Sequence, residues 1–303
     1  MERLASSGST DPMHEHSNDH NANDTTGTVL VVGSTGKTGR RVAARLEARG
    51  IPVRHGSRGS AVPFDWEDPT TWAPAVAGVD QAYVTYYPDL ALPGADEQVA
   101  ELARLARAAG VRHLVLLSGR GEPGALAAEE AVRAAGPPLT VVRASWFAQN
   151  FSEGLFADLI GSGTLALPAG EVPEPFVDAD DIADVAVAAL TDPAVAGDVY
   201  EVTGPRLLTM HDVATDLSSA TGRPVTYEPV TMERFAAILA EAGLPTDLIE
   251  ALGYLFTEIL DGRNAGLTDG VQRALGRPPK DFADFARDAA AAGAWDVGSP
   301  ATS

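Results

Sequence analysis

The feature that most limits how this chain can fold is an alternation that begins at residue 28. Short, nearly continuous apolar runs are followed repeatedly by segments of helical period. The strand-like runs are TVLVV (28–32), PVRHGS (52–57), AVPFD (61–65), QAYVTYY (81–87), RHLVLLS (112–118) and LTVVR (139–143). Helix-period segments lie between them, at about 37–49, 70–77, 94–109 and 125–135. Strands and helices alternating at this length predict an α/β fold, a doubly wound parallel sheet with helices on both faces. The runs are rich in Val and Leu, as a sheet covered on both sides requires.

Beyond Arg143 the alternation loosens. FVDADDIADVAVAAL (176–190) places Asp ahead of an amphipathic run, and DVYEVTG (198–204) reads as a strand. TMHDVATDLSSATG (209–222) opens on a Thr cap and closes on Gly. Further helices are expected at about 231–242, 244–261 and 280–291. The predicted organisation is a nucleotide-binding domain over 28–150 and a smaller, mostly helical lobe over 151–295, partly interleaved with the sheet. That lobe would cover the carboxyl ends of the strands, where open α/β sheets bind ligands. Residues 1–27 are too polar to offset ordering entropy and read as a disordered tail, as do 296–303. His14, His16 and His20 lie in that first tail without flanking structure to fix a metal geometry, so no metal site is expected. Met13 also reads as a candidate alternative start.

The turn after the first strand, GSTGKTG (33–39), resembles two phosphate loops at once. A nucleoside-triphosphate loop needs Gly-x-x-x-x-Gly-Lys-Ser/Thr, which would put its first glycine at Val31, inside the strand. The other register fits: Gly33, Gly36 and Gly39 follow a strand and open a helix. Gly33 permits the tight turn, Gly36 lets the backbone approach a pyrophosphate, and Gly39 lets the helix pack on the sheet. Backbone amides at the helix N-terminus would hold the phosphates, with Thr35, Thr38 and Thr85 nearby.

The next strand end selects the dinucleotide. NADH sites place Asp or Glu about 20 residues on, to bind the ribose hydroxyls. RHGSRGS (54–60) offers Ser57 and Arg58 and no carboxylate. A guanidinium grips a 2′-phosphate that a carboxylate would repel, so NADPH is expected ahead of NADH. Lys37 and Arg40 add positive potential. Asp65 is placed to meet the adenine amino group, with Trp66 beside it as stacking partner or core filler.

The formal charge of −20 argues against a nucleic-acid partner, which needs clustered Lys and Arg. The absence of Cys removes disulfides, zinc–thiolate sites and cysteine nucleophiles. No apolar run reaches the roughly 18 residues of a membrane helix, and no signal peptide opens the chain. A cytoplasmic protein without membrane partner is expected, as monomer or homodimer.

These segments, with LLSG (116–119), VRASWFAQNF (142–151) and FVDADDIADVA (176–186), resemble the NmrA-like branch of the atypical short-chain dehydrogenase/reductase family. The likeness spans most of residues 28–290. It implies a Rossmann domain that binds NADP(H) or NAD(H), in a group holding quinone reductases, ketone and ether reductases, and redox sensors without known turnover. Related ketoreductases of aromatic polyketide pathways belong to the same atypical group. One departure is sharp. Ordinary family enzymes protonate the substrate oxygen through Tyr-x-x-x-Lys. Here the only lysines are Lys37 and Lys280, and the residues four before them are Gly33 and Gly276. The matching helix, ALAAEEAVRAAG (125–136), has neither Tyr nor Lys. Ser118 occupies the position of the usual catalytic serine and can hydrogen-bond a carbonyl, although a strand-ending Ser also satisfies local backbone.

Hydride transfer needs placement above all, so a missing acid selects undemanding substrates. Quinones give delocalised anions that take protons from water; an aromatic ketone beside a phenol can protonate itself. Both are flat. Tyr86 and Tyr87, after the fourth predicted strand, and Trp146 and Phe147, after the sixth, supply aromatic faces for such a guest. Asn150 and Gln149 offer hydrogen bonds, and YLFTEIL (254–260) is a core helix or a lid. The expected function is an NADPH-dependent reductase of a carbonyl on an aromatic or quinoid small molecule, with substrate-assisted protonation. A ketone of aromatic polyketide type is preferred over a general quinone. A non-catalytic NADP(H) sensor is the reading of another class.

Overall fold

The structure, a computed structural model, describes residues 27–296. The predicted tails, with Met13, His14, His16 and His20, lie outside the described residues apart from Gly27 and Asp296. In chain order the first part runs β1 (Val29–Val32), α1 (Gly39–Ala48), β2 (Val53–Gly56), α2 (Trp72–Val76), β3 (Gln81–Val84), α3 (Ala95–Ala108), β4 (His113–Gly119), α4 (Pro123–Ala135) and β5 (Leu139–Ala144). Then come α5 (Leu155–Ser162), β6 (Thr164–Leu167), α6 (Ala179–Thr191), β7 (Val199–Val202), α7 (Met210–Thr221) and β8 (Thr226–Pro229). The chain closes with α8 (Met232–Glu241), α9 (Thr246–Tyr254), α10 (Gly270–Leu275) and α11 (Phe282–Ala291).

Six strands form one parallel sheet in the order β2-β1-β3-β4-β5-β7. Successive strand residues point to opposite faces, and each face has its own core. Leu30, Val32, Ala82, Val84, Leu114 and Leu116 pack under α2, α3 and α4. Val29, Val31, Tyr83, Val115 and Val142 pack under α1, α6 and α10. Helix α1 presents Val42, Ala43 and Leu46 inward at helical spacing and ends where Gly50 turns left-handed, with Ile51 N donating to Leu46 O. Because β2 and β3 flank β1 on opposite sides, connections leave β1 in both directions and open a crevice at its carboxyl end. Ligands bind at such a switch point.

Two expectations change. AVPFD (61–65) is not a strand: Pro63 has no N–H for a ladder, Phe64 N donates to Ser57 O, and Asp65 N donates to Thr71 Oγ1. QAYVTYY therefore supplies the third strand, and LTVVR the fifth. The second half, expected as a mostly helical lobe partly interleaved with the sheet, also carries a small sheet of its own. Strand β7 completes the large sheet, and α6 and α10 cover its face. What stands apart is a core of Phe151, Phe176, Phe235, Phe256 and Phe282 around a two-stranded parallel sheet of β6 and β8, which the sequence patterns did not indicate. Among the described residues no helix is long and apolar enough to cross a membrane.

Candidate active site

The glycine turn has the form its spacing predicts. Gly33 has φ +70°, and a Cβ there would stand 2.3 Å from Thr85 Oγ1, at the end of the neighbouring strand. A Cβ on Gly39 would stand 2.1 Å from Gly33 O, so only glycine lets α1 start this close to the turn. Gly36 is exposed, and a Cβ on it would meet nothing within 4 Å except Gly33 O at 3.2 Å. The outer side of the turn is open, with Thr35 exposed beside it and Thr38 buried below. Val31 is fully buried in β1, which removes the triphosphate-loop register.

At the end of β2, Arg58 is exposed on a short turn. Ser57 is less free than expected, because its hydroxyl shares a 2.7 Å hydrogen bond with Ser60 Oγ. Asp65 is half-buried; its Oδ1 accepts from Glu67 N, and its backbone O accepts from Trp72 Nε1. Trp66 is mainly an aromatic core member. It packs edge-on to Phe64 and Trp72 and tilted against Tyr86, and its indole N–H donates to Thr85 O at 3.1 Å.

Beyond the turn lies a cavity of about 440 Å³ at the carboxyl ends of β3, β4 and β5, roofed by Leu248 and Leu252 of α9. Tyr86, Trp146, Phe147 and Asn150 all reach its wall, as does Lys37 from the glycine turn. Lys37 Nζ donates to Asn150 Oδ1 at 2.8 Å. Burial lowers the lysine's pKa, Glu153 across the cavity raises it, and Arg40 and Arg41 lower it further. Tyr86 donates to Gln98, and Trp146 packs edge-on to Phe256. The segment 254–260 was expected as a core helix or a lid. Phe256 and Ile259 are core, while Leu255 faces the cavity.

Three expected contacts are not brought to the cavity in the expected way. Tyr87 is 72% exposed and absent from the wall; it lies beyond the end of β3, in the bend that leads to Pro88. Gln149 is buried and structural: its amide donates to Asp178 Oδ1, and its carbonyl accepts Ala179 N at the start of α6. Ser118 sits on the wall, but its hydroxyl hydrogen goes to Glu129 Oε1 at 2.6 Å. Glu129, 1% exposed, is gripped on both oxygens by Arg143 at 2.8 and 2.6 Å.

The wall also holds groups that sequence reading missed. Glu122 and Asp89 stand together on it, and Asn264 lines it from the loop before α10. Burial, then the charge and hydrogen bond of Asp89, push Glu122 up to about 8. Behind Trp146, burial pushes Glu174 up to about 7, against the pull of Trp146 N–H and Arg120. In the sequence, Glu122 precedes a proline at a helix start and looks like an ordinary solvent-facing cap; nothing local signals its burial.

Comparison with known proteins places this arrangement. The NmrA-like family profile matches residues 126–275. The chain is 33% identical to an NAD(P)H azoreductase from Xenophilus azovorans, over 87% of this chain and 98% of that protein. It is also 33% identical to a (4-alkanoyl-5-oxo-2,5-dihydrofuran-3-yl)methyl phosphate reductase from Streptomyces griseus, again over 87% and 98%. Its fold is similar to that of Citrobacter sp. triphenylmethane reductase complexed with NADP(H), with a TM-score of 0.70 at 22% identity, covering 87% of this chain and 99% of that one. The chain belongs to the NmrA-like family of NAD(P)-binding, Rossmann-fold proteins.

Proposed function

We propose that this protein is an NADPH-dependent reductase whose acceptor is a carbonyl on a flat aromatic or quinoid molecule. The observation that carries the reading is that Lys37, next in the chain to the open Gly36, lines the apolar cavity with Asn150, Tyr86 and Trp146.

The residues fit a dinucleotide. A Cβ at Gly33 or Gly39 would fill the turn, whereas Gly36 leaves room for a pyrophosphate against backbone amides. Arg58, exposed and without an acidic residue between positions 54 and 60, suits a 2′-phosphate better than a free ribose. When bound, the reduced nicotinamide supplies a hydride. The chain's own part is to position the acceptor and keep water out, through Tyr86, Trp146 and the α9 leucines. A 440 Å³ cavity is within the usual range for small-molecule sites, and aromatic walls suit planar rings. The azoreductase and furanone reductase names of the two relatives support reduction of conjugated acceptors. A ketone flanked by a phenol is preferred to a simple quinone, since such a guest carries an internal proton.

The test is NADPH oxidation, followed by absorbance, against quinones and peri-hydroxy aromatic ketones. Turnover with the ketones supports the reading. Tight NADPH binding without turnover on any acceptor would replace it with a non-catalytic NADP(H) sensor.

A further inference from the structure

Hydride addition to a ketone leaves an alkoxide, and the family's Tyr/Lys pair is missing from this chain. The cavity wall nevertheless holds a carboxyl pair where β4 ends. Glu122 is 8% exposed, and its Oε2 is buried without a hydrogen-bond donor to satisfy it. A Cβ on Gly119 would lie 2.2 Å from Glu122 Oε1, so the carboxyl occupies the space that this glycine leaves free. That spot is one residue from Ser118, the position of the usual catalytic serine. Asp89 approaches from the loop after β3, with its Oδ1 pinned by Ala91 N at 2.8 Å.

A carboxylate with no donor on a buried oxygen is costly; a protonated carboxyl hydrogen-bonded to a neighbouring carboxylate is not. One proton shared by the pair therefore sits on Glu122. We infer that Glu122 is the catalytic acid of this cavity, with Asp89 as the positioning residue that keeps it protonated.

This rests on the reductase reading above and names its proton source. As the carbonyl carbon gains hydride and its electron pair from reduced nicotinamide, the C=O π pair moves to oxygen. The Glu122 O–H bond then breaks, the product O–H bond forms, and the electrons of the broken bond stay on the Glu122 carboxylate. Solvent at the cavity mouth returns the proton. The same acid serves ketones that lack a phenol of their own, which widens the substrate class beyond self-protonating guests. Burial and the Asp89 charge keep Glu122 protonated at neutral pH. The other charged groups on this wall are Lys37, Arg120 and Glu153. Arg120 is turned to Glu201 and Asn264 O, and Arg263 donates to Gly121 O beside Glu122.

The test has two arms. Infrared titration of the cofactor-free protein should show a protonated carboxyl at pH 7 that ionises by about pH 9. That signal should be kept in E174Q, which removes the carboxyl pushed up to about 7, and lost in the E122Q/E174Q double variant. Its absence from E174Q at pH 7, or its survival in the double variant, overturns the assignment. In the second arm, NADPH oxidation is followed with an aromatic ketone that has no neighbouring phenol. E122Q should lose about 10²–10³-fold in kcat, with unchanged NADPH affinity. D89N should move the alkaline limb of the pH profile to lower pH, because removing a like charge eases Glu122 ionisation. An E122Q enzyme with wild-type kcat and an unchanged alkaline limb sinks the proposal. If the wild-type enzyme uses no acceptor at all, the reductase reading falls and the catalytic role falls with it. The titration arm separates that failure from a misplaced proton.

Discussion

Lys37 Nζ donates to Asn150 Oδ1 at 2.8 Å, tying the glycine turn after β1 to the loop after β5 across the mouth of the cavity. Hydrogen bonds to charged groups are worth roughly 1.5–3 kcal/mol, and this one joins the glycine turn to the cavity wall. K37M keeps the stem and removes the charge. It is expected to weaken NADPH about tenfold, near 1.4 kcal/mol, in a fluorescence titration. An unchanged dissociation constant would mean that the tie is not part of the cofactor site.

Arg58 is exposed on the turn after β2, at the strand end where family members without a 2′-phosphate would present a carboxylate. R58A is expected to weaken NADPH at least tenfold while leaving NADH within about threefold, since paired guanidinium–phosphate hydrogen bonds exist only for the former. Equal weakening of both would place the 2′-phosphate elsewhere.

Ser118 gives its hydroxyl hydrogen to Glu129, which Arg143 already holds on both oxygens. S118A therefore acts on stability more than on chemistry. The expected loss in urea unfolding is about 1–3 kcal/mol, with kcat within about tenfold of wild type. A kcat loss beyond about 10⁴-fold would make Ser118 a catalytic donor after all.

Glu122 also leaves a signature in stability. Its carboxyl ordinarily titrates at 4.5 and is pushed up to about 8 in the folded chain. Between those values the folded chain holds a proton that the unfolded chain has lost, so raising the pH through this window destabilises the fold. The stabilisation is complete below about 4.5 and gone above about 8. E122Q cannot ionise. It is expected to match the unfolding free energy of wild type at pH 5 and to exceed it at pH 9, by an amount on the order of a few kcal/mol. A difference that does not grow with pH would contradict the raised carboxyl.

Much of this was legible in the chain because it is encoded by neighbours. VLVVGSTGKTG carries strand, turn and helix start within eleven residues, and its glycines stand where the turn needs them. AVPFD misled because its alternation looks like a strand, while Pro63 and the aromatic cluster around Trp66 hold it as a loop. Tyr86 and Tyr87 are adjacent and chemically alike, and only the path of the loop after β3 decides which of them faces the cavity. The Asp89–Glu122 pair was invisible for another reason: its members are 33 positions apart, and their burial depends on how the loop after β3 packs against the end of β4. Contacts made between loops at the carboxyl ends of neighbouring strands leave no local periodicity.

The central claim is that hydride passes from NADPH to a carbonyl carbon inside this cavity. Turnover of a peri-hydroxy aromatic ketone with NADPH deuterated at C4 on the transferring face, followed by mass spectrometry of the product, tests it directly. The expected result is one deuterium per product molecule, carried on the carbinol carbon. Product formed without deuterium from either C4-labelled face, or labelled cofactor left unoxidised with the ketone bound, would contradict it.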